Sequence, residues 1–241
     1  MKTYLTFCLI AATFVSGFSQ DKISGTIPNW SRGAGQVAVM SMGPPEVIGT
    51  LAADGSFEVP LKPDYLAEVE KAMEAANSRD NNGWTASLNT LEGRFSCSGG
   101  TLEKVNAEQP ITGFPAMGAF MLVNMEEEKN LGYLMMGSSK AFAESMTPYK
   151  FQPGYFLEWY FLGEDAQVSG ECSISSYAMN QEETYEHVTV YDLDFKAGWN
   201  IVKYEILEVF TDKEGNSYPK KERYSILSEM PAEVKLIYLT D

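Results

Sequence analysis

Glu158 is the residue whose type and surroundings most clearly invite chemistry. It sits in Tyr155-Phe156-Leu157-Glu158-Trp159-Tyr160-Phe161-Leu162, where alternation puts it on a face shared with Phe156, Tyr160 and Leu162. A carboxylate on an apolar face is paired, raised in pKa, or exposed because that face is a binding groove. Glycosidase chemistry would require a second acid across a cleft, and Asp165, Asp192 and Asp194 cannot be placed from sequence. Trp159, Tyr160 and Trp199 complete the candidate ligand-binding set with Glu158, since tryptophans (30, 84, 159 and 199) and tyrosines can stack on sugar rings as well as fill cores.

Other chemistry is thinly represented. His187 is the sole histidine, so any Ser-His-Asp or Cys-His arrangement would have to use it. It opens a predicted strand, no Gly-x-Ser-x-Gly elbow supplies a serine, and the expectation is a surface or strand-edge histidine. No catalytic residue is assigned. Zinc would need clustered His and Cys. Asp212-Lys213-Glu214-Gly215-Asn216 begins like a calcium loop but has Ser217 where the sharp turn needs glycine and Arg223 where the bidentate acid belongs, so it reads as a hairpin. Met117, Met121, Met125, Met135 and Met136 could in principle hold Cu(I), yet their aromatic and aliphatic neighbours mark them as packing. No metal and no cofactor is expected.

Cys97 and Cys172 are expected to form a disulfide in strand-like settings, because residues 1–19 read as a signal peptide that removes Cys8. Lys2 starts that leader, Leu5 to Val15 form its apolar core, and Gly17-Phe18-Ser19 is its small-x-small site. No later stretch reaches the roughly 18 uncharged apolar residues of a transmembrane helix. The expected product is exported, periplasmic or extracellular. The whole chain carries 33 acidic against 18 basic side chains, a net charge of −15, and loss of Lys2 makes it −16. That balance argues against nucleic acid and anionic lipid, both of which need a cationic footprint.

The elements that must position these residues are mostly strands. Residues 20–62 form an N-terminal β-hairpin region, whose clearest signal is Val47 to Leu51, Asp54-Gly55 and Ser56 to Leu61, suited to a type I′ turn. Residues 63–82 hold a helix and linker: Leu66, Val69, Met73 and Ala76 fall at helical spacing, Asp64 can cap the first turn, and Asn77 to Gly83, with Asp80-Asn81-Asn82-Gly83 at its end, stops it. Residues 83–241 read as a C-terminal β-sandwich with strands at Thr85–Leu91, Gly93–Cys97, Ala116–Asn124, Leu131–Ser138, Gly154–Leu162, Ala166–Ser175, Glu186–Phe195, Trp199–Phe210, Tyr218–Ser228 and Glu233–Thr240. Ser139 to Met146 reads as a short helical turn. Tyr191 to Ile206 predicts a hairpin around Lys196-Ala197-Gly198, with a bulge near Ile201-Val202 where the alternation changes parity. The fold class is therefore mainly β, an antiparallel β-sandwich, one large or two small, with one amphipathic helix.

The Gly-x-x-x-x-Asp-Gly-x-Phe run, Gly49 to Phe57, resembles the opening of transthyretin-like and carboxypeptidase-regulatory-like domains. The Gly198-Trp199-Asn200 corner is similar to that of uncharacterised bacterial exported β-sandwich proteins, although Ala197 separates Lys196 from Gly198. These resemblances imply export and a β-sandwich, and no functional residue. The function expected is a non-catalytic binding or envelope-associated protein with a glycan or protein ligand. The alternatives are a carboxylate-based, glycosidase-like hydrolase using Glu158 and a purely structural envelope protein.

Overall fold

Period-two patterning covers most of the chain, and it folds as strands wherever one or both sides of a segment can be covered. The computed structural model describes residues 21–40, 45–78, 85–115, 118–146 and 150–240; the leader, Asp80 to Gly83 and Trp84, Met117 and Pro148 lie outside them. Among the described residues the strands are β1 (Lys22–Thr26), β2 (Gly35–Val39), β3 (Glu46–Leu51), β4 (Ser56–Pro60), β5 (Asn89–Thr90), β6 (Glu103–Val105), β7 (Pro110–Phe114) and β8 (Ala119–Asn124). They continue as β9 (Lys129–Gly137), β10 (Gly154–Leu162), β11 (Ala166–Tyr177), β12 (Thr184–Phe195), β13 (Gly198–Thr211), β14 (Ser217–Leu227) and β15 (Lys235–Leu239). The helices are α1 (Tyr65–Asn77), α2 (Leu91–Arg94) and α3 (Lys140–Ser145).

All fifteen strands join one sheet, in the order β1-β4-β3-β2-β8-β9-β10-β13-β14-β12-β11-β6, with β15 on β9, β7 on β10 and β5 on β7. Pairing is antiparallel except between β12 and β14. So long a sheet twists and curls onto itself. One core accordingly packs Ile23, Val37, Phe57 and Val59 of the first strands against Leu157, Trp159 and Ile201 from the middle of the path. A second core on the other face of β10 and β13 gathers Leu91, Phe95, Tyr160, Leu162, Phe195 and Val202. β10 is thus buried on both sides, which is why its sequence is a nearly unbroken apolar run.

Several expectations change. β12 and β13 do not pair as a hairpin: β14 lies between them, parallel to β12 and antiparallel to β13. The Lys196-Ala197 link crosses the end of β14. It is tied by Asn200, whose Nδ2 donates to Lys196 O and Gly198 O at 2.8 and 3.0 Å and whose Oδ1 accepts from Lys196 N. No bulge occurs at Ile201-Val202, because Ile201 packs in the first core and Val202 in the second. The register shift comes later, between Ile206 and Val209.

At the β3–β4 turn only Gly55 has positive φ (87°), and Gly55 N donates to Ala52 O. The turn is therefore not type I′, which needs two such residues. Asp64 makes no side-chain cap on α1; its φ and ψ of −107° and 18° leave the extended region that a capping side chain requires. The α1 face of Leu66, Val69, Met73 and Ala76 is half-buried, as its spacing predicts. Gly93 to Cys97 is not a strand: Leu91 to Arg94 form α2, capped by Thr90 Oγ1 accepting from Gly93 N at 3.2 Å. Of Thr85 to Leu91, only Asn89-Thr90 is strand. β6 and β7 complete the sheet from segments without strong alternation, and α2 and α3 add two short helices to α1.

Candidate functional site

Sheet register lines up two rows of side chains across β10, β13, β14, β12 and β11. In the first, Phe156, Tyr204, Tyr224 and Tyr191 occupy matched positions. Phe156 stacks on Tyr204 at 4.7 Å between centroids, and Tyr224 lies 5.0 Å from Tyr204 and 5.6 Å from Tyr191. In the second, Ile206, Glu222, Thr189 and Cys172 are matched. One carboxylate is thereby set among tyrosines, with 9% of Glu222 exposed.

A buried carboxylate must be hydrogen-bonded to stay charged. Glu222 Oε2 accepts from Tyr204 OH, and Oε1 accepts from Thr189 Oγ1 at 3.1 Å. His187 Nε2 is 3.3 Å from the same Oε1 but off the line of a hydrogen bond. Burial pushes the Glu222 carboxyl up, and His187, Tyr204 and Thr189 together outweigh it and hold the group below the usual carboxylate range. The opposite happens to the tyrosines: burial first, and Glu222 second, raise the phenols of Tyr204 and Tyr224.

A second polar chain begins at Arg94 on α2. Its Nε and Nη2 donate to Tyr160 OH at 3.1 and 2.6 Å, and Tyr160 OH donates to Glu158 Oε2 at 3.0 Å. Arg94 Nη2 lies 3.9 Å from Glu158 Oε2, and the guanidinium rests over the rings of Phe95 and Tyr160. Glu158 is 4% exposed. Burial, then Glu158, push the Tyr160 phenol up.

A cavity of about 340 Å³ opens beside the first network. Its floor is Cys172, Ile174, His187, Thr189 and Tyr191 on β11 and β12; its wall is Ser96, Cys97 and Ser98. The wall is held by the Cys97–Cys172 disulfide, with Cα atoms 5.7 Å apart. Cys97 lies in a loop after α2, so the bridge joins loop to strand rather than strand to strand. Phe95, buried in the second core, anchors one end of that loop. At Gly99 it runs so close to β11 that a Cβ would sit 1.8 Å from Ser173 O. The lining offers hydroxyls, an imidazole, a phenol and a disulfide.

The structure brings Glu158 and Tyr160 into contact and places Trp159 and Trp199 elsewhere. Trp159 is fully buried in the first core. Trp199 packs with Phe114, Tyr65 and Phe161, and its Nε1 donates to Lys62 O at 2.9 Å. His187 is on an interior strand, with 23% of its side chain exposed, rather than at an edge. Asp212 accepts from Glu214 N, Asn216 N and Tyr218 OH and organises a hairpin. Among the described residues no group of three or more His, Cys, Asp or Glu could hold a metal ion, and no helix is long and apolar enough to cross a membrane.

Sequence reasoning missed Arg94, Thr189, Tyr191, Tyr204, Glu222 and Tyr224. Their one legible signal was parity, since Tyr204 shares a strand face with Val202 and Ile206. Comparison with family models, curated proteins and solved structures found no match to this chain.

Proposed function

We propose that the chain is an exported, non-catalytic binding protein of the cell envelope or extracellular space, taking a glycan or a segment of another protein in the pocket of His187, Thr189 and Tyr191. The observation that carries this reading is that, among the described residues, no carboxylate lines the pocket, while the inward-facing Glu158 and Glu222 are buried and engaged by Arg94, tyrosines, Thr189 and His187. Glycoside hydrolysis needs two carboxyl groups flanking the scissile bond, about 5–9.5 Å apart, so a binding role fits these walls better. The bridged cysteine pair supports an oxidising compartment.

The test is an oligosaccharide array and a peptide array probed with wild type and with Ser98→Trp, which fills the pocket from an exposed wall position. A ligand retained by wild type and lost, by tenfold or more in Kd, by a Ser98→Trp protein of unchanged melting temperature is the expected result. Turnover of a chromogenic glycoside that disappears in Glu158→Gln would overturn the reading in favour of the hydrolase.

A further inference from the structure

The edge of β11 is only partly covered. β6 pairs with Gln167 to Ser169, and the disulfide loop lies against the strand as far as Ser173. Beyond it, Ile174 to Tyr177 pair with β12 on one side and with no described residue on the other. Antiparallel geometry says which backbone groups face out. Ala178 N donates to Glu183 O across the β11–β12 pair, so even-numbered residues bond inward to β12 and odd-numbered ones face outward. The carbonyls of Ser173 and Glu171, which meet Gly99 and Gly100 of the loop, agree. Ser175 and Tyr177 therefore present N–H and C=O along a free edge.

Natural edges of this kind are blunted with lysine, proline or a bulge. From Cys172 to Tyr177 there is none of these, and the register with β12 is unbroken. The large exposed side chains are hydrophobic on both faces: Ile174, which also lines the pocket, on one and Tyr177, 72% exposed, on the other beside the small Ser175, with Met179 just beyond. The surrounding charge is acidic. Glu171, Glu182, Glu183 and Glu186 lie on this strand, its turn and its partner, and the ammonium groups paired with them are Lys221 on Glu171 and Lys213 on Glu182.

We propose that this edge receives an extended, basic peptide segment as an added strand beside Ser175 and Tyr177. Main-chain bonds to those two residues supply affinity. Alternate side chains on the Ile174 face reach toward the His187 pocket and supply selection. This rests on the binding reading above and narrows its ligand to a peptide. A second copy of the chain is a poorer occupant, because two-fold edge pairing would set the same four carboxylates of two molecules of net charge −15 against each other.

The probes are three capped ten-residue peptides: alternating Val and Lys, the same with alternate backbone amides N-methylated on its bonding edge, and alternating Val and Glu. Titrated onto wild type, the Val-Lys peptide is expected to bind and to slow amide hydrogen exchange at Ser175 and Tyr177, with the other two at least tenfold weaker. Ser175→Pro removes an outward N–H without touching a β12 bond, and is expected to weaken the Val-Lys peptide at least tenfold. Exchange on wild type decides the question if that variant fails to fold. Equal binding of the N-methylated peptide would mean charge adhesion alone and overturn the proposal. So would unchanged exchange at Ser175 and Tyr177, or protection there without peptide in a dimer. A glycan that binds wild type and is lost in Ser98→Trp, with all three peptides inert, would sink the edge proposal while leaving the pocket reading intact.

Discussion

Replacing the bridge by Cys97→Ser with Cys172→Ala is expected to lower stability by about 4.5 kcal/mol. The bridged residues are 75 apart in sequence, and the chain between them includes β6 to β10. Cross-linking that span removes about 15 cal/mol/K of entropy from the unfolded ensemble on the chain-entropy relation, which is about 4.5 kcal/mol at 25 °C. For a chain of this size each kcal/mol moves the melting temperature by about 2–4 °C, so the loss corresponds to about 9–18 °C. The native loop keeps other anchors: Phe95 stays in the second core and β6 stays paired to β11. The variant should therefore keep the far-ultraviolet circular dichroism of the parent, with a larger dependence of stability on urea because its unfolded chain exposes more surface. Urea unfolding of both proteins, monitored by circular dichroism, measures the difference. A loss under about 1 kcal/mol, or free thiols counted in unfolded, unreduced wild type, would refute the reasoning.

The buried network makes two further predictions. Tyr204→Phe deprives the buried Glu222 carboxylate of a charge-assisted hydrogen bond and should cost about 1.5–3 kcal/mol near neutral pH. Because the folded Glu222 carboxyl is held below the ordinary glutamate value of 4.5, the stability it contributes is present above that value and lost as pH falls through the folded one. In Tyr204→Phe that loss should begin at higher pH, and urea midpoints from pH 2 to 7 that superimpose on wild type would contradict it. At the alkaline end, Tyr160, Tyr204 and Tyr224 are raised by burial, so their contribution is present below about pH 10 and lost as pH rises beyond. Absorbance at 295 nm should show these three phenols ionising only as the protein unfolds; their ionisation in still-folded protein would be the contrary result.

What local patterning could reveal, it revealed where an element has one wet side or a complete cap. β3 and β4 alternate and meet at a glycine turn, the α1 stripe of Leu66, Val69, Met73 and Ala76 packs as its spacing demands, and Ser139 Oγ accepts from Phe142 N to start α3. It failed where a distant segment intervenes. Phe195 and Gly198 bracket so short a link that a hairpin is the natural inference, but β14 enters between β12 and β13 from later in the chain. The parity change at Ile201-Val202 mimics a bulge because both faces of β13 are covered there, a fact that belongs to tertiary structure. α2 spans four residues, too few to display a period, and Gly93-Arg94-Phe95 alternates like a strand.

The candidate site was less legible for a related reason. Lys220-Lys221-Glu222-Arg223 is a charged run inside the expected strand Tyr218–Ser228, yet of the four only Glu222 is buried, and its hydrogen-bonding partners come from β12 and β13. Glu158 was conspicuous because its strand is otherwise apolar; its partner Arg94 lies on α2, 64 positions earlier. A sequence that aims two carboxylates into an aromatic face contradicts its own binary pattern, and such contradictions persist where other parts of the chain compensate for them. Here the compensation for Glu222 involves the strand that floors the disulfide-walled pocket. A ligand entering that pocket therefore meets Thr189 and His187, the groups that hold a buried charge in place, and its binding should be coupled to the ionisation of Glu222 rather than independent of it.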